Sequence, residues 1–142
     1  MKTVRQLLEA KGNRVFSIAP ASPVYDALLI MAENRIGALV VLEGEHLVGI
    51  FSERDYAREV VLKGKTSRTT PVSDIMSTAV ITVSPDTMVD DCMNLMSGKR
   101  IRHLPVLEND RVVGVLSIGD LVKETIDYQQ FLIKQLEHYI QS

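Results

Sequence analysis

The feature that most constrains this chain is that it repeats itself. Sliding the 142-residue sequence along itself by 65 positions lays residues 15–56 on residues 80–121 without a gap. Fifteen positions then coincide, among them Pro20, Asp26, Arg35, Gly49, Ser52 and Asp55 with Pro85, Asp91, Arg100, Gly114, Ser117 and Asp120. Average composition allows about two or three matches by chance. The chain is therefore a duplication, and whatever fold it takes must be built twice.

Each copy has the same grammar. A short apolar strand comes first, 15–18 or 80–83, stopped by Pro20 or Pro85. A helix follows, opened by Ser22-Pro23 in one copy and by Thr87-x-x-Asp90 in the other. Its apolar stripe is Val24, Ala27, Leu28, Met31, echoed by Val89, Cys92, Met93, Met96. Two strands around a tight turn come next, 38–42 to 46–51 and 103–107 to 111–116, with Glu43-Gly44-Glu45 and Glu108-Asn109-Asp110 supplying the turn chemistry. A second helix closes each unit. The expected fold is α/β (α+β): two β-α-β-β-α repeats packed with pseudo-twofold symmetry, plus a short N-terminal helix and a C-terminal helix. The corresponding segments are a lead-in over 1–14, repeat one over 15–63, a linker over 64–79, repeat two over 80–125, and the last helix over 126–142. One repeat alone buries too little, so two packed copies with a shared cleft are the expectation.

Each copy ends on the same junction, Gly49-Ile50-Phe51-Ser52-Glu53-Arg54-Asp55 and Gly114-Val115-Leu116-Ser117-Ile118-Gly119-Asp120. A strand ends at a serine suited to cap the helix that follows, and an aspartate stands in the first turn. One reading is a plain capping box with no ligand. The other is a sugar-phosphate grip, in which the helix N-terminus attracts an anion and the carboxylate takes two ribose hydroxyls.

Composition removes several classes. A formal charge of −2 argues against a nucleic-acid binder driven by overall positive charge. No run of about 18 apolar residues and no basic-then-apolar leader occurs, so neither membrane span nor export is expected, and the cytoplasm is the default. The lone Cys92 cannot form an internal disulfide and replaces Ala27 on a core stripe. His103 has no second His or Cys at metal spacing, so no metal site is expected. No Ser-His-Asp or Cys-His set, P-loop or G-x-G-x-x-G is present, so no catalysis is expected.

The tandem units, the two Gly-h-h-Ser-x-x-Asp closings and the His103-Leu104-Pro105-Val106 strand resemble a pair of cystathionine-β-synthase (CBS) domains, a Bateman module of the stand-alone type. The resemblance covers residues 15–125. It implies a non-catalytic sensor or regulatory module with AMP, ATP or NAD(H) in the cleft between repeats, a homodimer, and an unknown target protein. It points to Asp120 and Asp55 for the ribose, Ser117 and Ser52 for phosphate, and Arg102 and His103 as positive charge before the Leu-Pro strand. The first repeat departs there, with Gly37, Ala38 and Val40 at the matching positions. It further points to Val80, Ile81 and Val83, with Val15, Phe16 and Ile18, as an apolar slot for adenine.

The stretch 54–68 carries Arg54, Arg58, Lys63, Lys65 and Arg68 against Asp55 and Glu59, a local +3. Arg54 and Arg58, at i and i+4, are candidate phosphate contacts, with Lys65 to Arg68 closing from the linker. The alternative is a solvated face. On the last helix Tyr128, Leu132, Leu136 and Tyr139 form a stripe that wants a partner, either the chain's own body or a second subunit. An empty cleft would leave a constitutive protein-interaction scaffold working through that helix.

Overall fold

The computed structural model describes residues 2–141. In order, the elements are α1 (Val4–Lys11), β1 (Ser17–Ile18), α2 (Val24–Asn34), β2 (Ala38–Glu43), β3 (His46–Ser52), α3 (Glu53–Asp55), α4 (Val89–Lys99), β4 (His103–Glu108), β5 (Arg111–Ser117) and α5 (Ile118–Gln141). A π-helix, Tyr56–Val61, continues α3, and a 3-10 turn occupies Val72–Asp74. Two β-α-β-β-α-like repeats are present, preceded by α1, and the closing helix of the second is continuous with the C-terminal helix as α5 rather than separate from it.

The chain divides into two compact units. One holds Arg14–Ile81 with the hairpin tip Glu108–Val113, and the other holds the segment ending at Asn13, Thr82–Leu107 and everything from Gly114 on. Each unit therefore pairs a repeat with the segment that leads into the other repeat. Hydrogen bonds show how. Val4 N–H donates to Thr87 O and Arg5 N–H to Pro85 O, both at 2.8 Å, while Val89 N–H donates to Lys2 O at 3.0 Å. In the other unit Val72 N–H donates to Ser22 O at 2.8 Å, Ser73 N–H to Pro20 O at 2.9 Å, and Val24 N–H to Thr70 O at 2.8 Å. The two sets superpose when the repeats are shifted by 65 and the lead-ins by 68. Val4 and Val72 are both fully buried, and Leu7 and Ile75 follow them into their cores.

These carbonyls also open the repeat helices. Neither α2 nor α4 has a side-chain cap; Pro23 and Met88 stand at the cap positions. The Thr87-x-x-Asp90 box expected from sequence does not form, because Lys2 O already satisfies Val89 N–H and Thr87 Oγ1 turns back to accept from Ser84 N–H at 3.2 Å. At the far end both helices stop on an arginine in the left-handed region, Arg35 at φ 53° and Arg100 at φ 54°.

The first-repeat sheet runs β1-β2-β3, with β1 parallel to β2 and β2 antiparallel to β3. Residues 38–41 of β2 are buried at every position, as a central strand covered on both faces requires. Around it Val24, Ala27, Met31, Leu39, Phe51, Val60 and Val72 form one core. The second sheet has two strands, β4-β5, where the sequence led us to expect a first strand over 80–83. Only Val83 pairs, through a parallel bridge to Val106. Pro105 is the cause. The next rung of a parallel ladder needs an N–H from residue 105 to the Ile81 carbonyl, and proline has none. Val40 stands at that place in the first repeat, and there the ladder takes in Ser17 as well as Ile18.

Candidate functional site

The closing junction of the second repeat is assembled wholly within its unit. Strand β5 ends on Ser117, and α5 starts at once. Asp120 N–H donates to Ser117 Oγ at 3.2 Å, and Ser117 N–H donates to Asp120 Oδ2 at 2.8 Å. Ile118 N–H goes to Arg102 O at 2.8 Å, which sets the residues before β4 beside the helix start. Lys11, at the end of α1, completes the cluster: its ammonium donates to Asp120 Oδ2 at 2.6 Å and to Val115 O at 2.7 Å. Burial works to raise the Asp120 carboxyl. Lys11 and the Ser117 N–H outweigh it and hold that carboxyl below its ordinary value. Half-buried His103 is displaced downward, chiefly by burial, with Lys11 and Arg102 adding to the effect and Asp120 opposing it.

The first junction has the same cap. Asp55 N–H donates to Ser52 Oγ at 3.2 Å, and Ser52 N–H and Oγ donate to Asp55 Oδ2 at 2.9 and 3.0 Å. Ser77 Oγ approaches Asp55 Oδ1 at 3.5 Å, and Glu53 N–H takes Gly37 O at 3.1 Å. No positive pair precedes β2. At the place matching Lys11 under the lead-in shift stands Ala79.

Both aspartates thus serve the capping box as well as any grip, and the helix starts offer less free N–H than the sequence suggests. At α5 the N–H groups of Ile118 and Asp120 are already engaged, by Arg102 O and Ser117 Oγ. Asp120, Ser117, Arg102 and His103 come together, with Lys11 as a member the sequence reading missed. Asp55 and Ser52 form the other group. Ile18 is buried in the first-repeat core rather than lining an open slot. Phe16 is half-buried against that core, with the Arg14 guanidinium 4.8 Å from its ring centre. Val80 and Ile81 are half-buried, outside any strand.

The basic stretch 54–68 runs from α3 through the π-helix into the linker. The residues after Arg54 and Asp55 are π-wound, with Leu62 N–H bonded to Ala57 O at 3.1 Å, five residues back. Lys63 pairs with Glu59. The Arg68 guanidinium stacks 4.0 Å from the Tyr25 ring centre, and Tyr25 N–H donates to Ser67 O at 2.9 Å, which pins this linker to the start of α2.

On α5 the row from Ile126 onward is exposed, with Leu136 at 62% and Tyr139 and Ile140 at 80%. The chain's own body does not cover it. Among the described residues no helix is long and apolar enough to cross a membrane, and no group of three His, Cys, Asp or Glu is placed to hold a metal ion.

Comparison with known proteins agrees with this architecture. The CBS domain model matches residues 5–62 and 72–127. A mitochondrial CBS domain-containing protein of Arabidopsis thaliana, CBSX3, is 42% identical over 98% of this chain and 72% of its own length. A solved structure of a putative signal-transduction protein with CBS domains from Burkholderia ambifaria is 46% identical, covers 89% of this chain and 95% of its own, and superposes with a TM-score of 0.86. The CBS domain pair of protein MJ0100, solved in complex with 5′-methylthioadenosine and S-adenosyl-L-methionine, is 25% identical with a TM-score of 0.78, over 87% of this chain and 99% of its own. With two matched domains spanning most of its length, the chain belongs to the CBS domain family.

Proposed function

We propose that this CBS pair is a non-catalytic regulatory module that senses an adenosyl ligand, of the class AMP, ATP or NAD(H). The observation that carries the reading is the second-repeat junction. A carboxylate held charged stands in the first turn of a helix, with Lys11, Arg102 and His103 around it. A carboxylate accepts about four hydrogen bonds, so Asp120 keeps capacity for a ribose diol beside Ser117 and Lys11. The adenosyl ligands of the MJ0100 pair support the ligand class. The first junction, without the basic partners, is the weaker grip. We further propose a homodimer, with a second copy covering the exposed row on α5, and a cytoplasmic setting, although the Arabidopsis relative is mitochondrial.

A thermal-shift panel of AMP, ADP, ATP, NAD, NADH and S-adenosylmethionine tests the reading. A ligand at 100 times its Kd adds about 2.7 kcal/mol of stability. Asp120→Ala should abolish the shift. Silence from every compound on folded protein would refute it.

The exposed row on α5 favours a second reading, an interaction scaffold with a silent grip. In that case deleting residues 127–142 would abolish partner binding while nucleotides change nothing.

A further inference from the structure

Lys11 is the residue at the second-repeat junction that no sequence motif announced. Its ammonium is fixed by two short bonds, to Asp120 Oδ2 and to Val115 O, and these use two of its three N–H donors. Its side chain is partly open to solvent, 37% exposed against 22% for Asp120. A ribose taken by Asp120 would carry its 5′ substituent about one sugar ring away from that ammonium, whose third N–H these two bonds leave unused. Lys11 is held on Asp120, and Arg102 is near enough to lower His103, so two cations stand in this cluster against the one carboxylate of Asp120. Neither cation has a counterpart at the first junction, where Ala79 and Gly37 stand.

We propose that Lys11 sets the ligand preference of the second-repeat grip, selecting adenosyl ligands with a 5′-phosphate over those with a neutral thioether or a cationic sulfonium. The inference rests on Asp120 being a ribose grip, as argued above. On a phosphate, the third N–H of Lys11 makes a charge-assisted bond, which is about twice as strong as a neutral one. A sulfonium brought to the same place meets a like charge. Methylthioadenosine presents neither attraction nor repulsion, which makes it the reference.

The test is calorimetric titration of the full chain with AMP, methylthioadenosine and S-adenosylmethionine, at one pH and ionic strength, on wild type, Lys11→Met, Lys11→Gln and Lys11→Arg. Wild type is expected to hold AMP about tenfold or more tightly than methylthioadenosine. Lys11→Met and Lys11→Gln should each lower the AMP to methylthioadenosine affinity ratio by about that factor and raise the S-adenosylmethionine to methylthioadenosine ratio, whatever common shift the loss of the Asp120 partner brings; Lys11→Arg should retain the AMP preference. If ligands bind but the AMP to methylthioadenosine ratio ignores Lys11, or if both neutral variants weaken all three ligands equally, this inference is wrong and the ribose grip survives. If wild type binds none of the three, the ribose grip itself fails and takes the inference with it.

Discussion

Gly114→Ala is the substitution whose outcome follows most directly from the packing. A Cβ at this position would lie 2.6 Å from Leu8 Cδ2 and 2.9 Å from Cδ1. Apolar carbons rest at about 3.5–4.0 Å, so the overlap is close to 1 Å. Leu8 cannot drift away easily. It is buried at 7% exposure, and α1 is tied down by the bonds from Val4 and Arg5 to Thr87 and Pro85. Overpacking of this kind costs about 1–3 kcal/mol, against which alanine recovers about 0.5–1 kcal/mol of strand preference over glycine. The net expectation is a loss of about 1–2 kcal/mol, read as a lower urea midpoint with unchanged m-value. A double-mutant cycle isolates the cause. Leu8→Ala alone should cost about 2–4 kcal/mol, and in its background Gly114→Ala should cost nothing or stabilise. The coupling energy is then about 1–3 kcal/mol. Additivity within about 0.5 kcal/mol would refute the idea that this glycine exists to admit α1. Gly49→Ala serves as the control within the same chain. Its Cβ would meet Met76 Sδ at 2.6 Å and the Ser77 carbonyl at 3.0 Å, and that carbonyl is held by Ile50 N–H at 2.9 Å. Because backbone gives less than a leucine tip, Gly49→Ala should cost at least as much.

Other outcomes can be checked on the same protein. Burial pushes the Cys92 thiol up to about 11; at pH 8 only about 0.1% is thiolate, so labelling by iodoacetamide should wait for unfolding, and rapid labelling of native protein would contradict the burial. His103 is held below its ordinary value, so the unfolded chain takes up that proton first, and stability should fall as pH drops below about 6.5 until the folded form protonates too. His103→Gln should flatten that limb in urea titrations across pH. Asp120 is likewise depressed, so its contribution is complete above about pH 4 and is lost as pH falls through the lower folded value; Asp120→Asn should remove that acid-side slope. Lys2→Ala should destabilise by more than a surface change, because Glu124, 7% exposed in its side chain, loses the ammonium 3.4 Å away; an effect below about 0.5 kcal/mol would mean the pair is solvated.

Much of this was legible because the duplication is written at one offset. The 65-residue shift located the helices and hairpins of both copies, and the Ser-x-x-Asp junctions fell where strand meets helix. The second offset was not legible. The lead-ins align only as Val-x-x-Leu-Leu on Val-x-x-Ile-Met, and one is wound as an α-helix while the other is a single 3-10 turn followed by a bridge. Local periodicity could not relate such different backbones. Lys11 was invisible for a related reason: its partner lies 109 residues away, and a lysine at a helix end is ordinary in itself. The lost first strand of repeat two is readable in principle, since a proline at 105 has no N–H for the rung to the Ile81 carbonyl. Nothing in the composition of Tyr56–Val61 signals π winding.

Helix α5 carries one further implication. Its first turn contains Asp120, and it runs without a break to Gln141. At 1.5 Å per residue its 24 residues measure about 36 Å. A stiff rod of that length magnifies what happens at its root: a tilt of 10° there carries the tip through about 6 Å. The oily end around Tyr139 and Ile140 is thus mechanically wired to the carboxylate, so an event too small to reshape the repeat moves that exposed end by more than the width of a side chain.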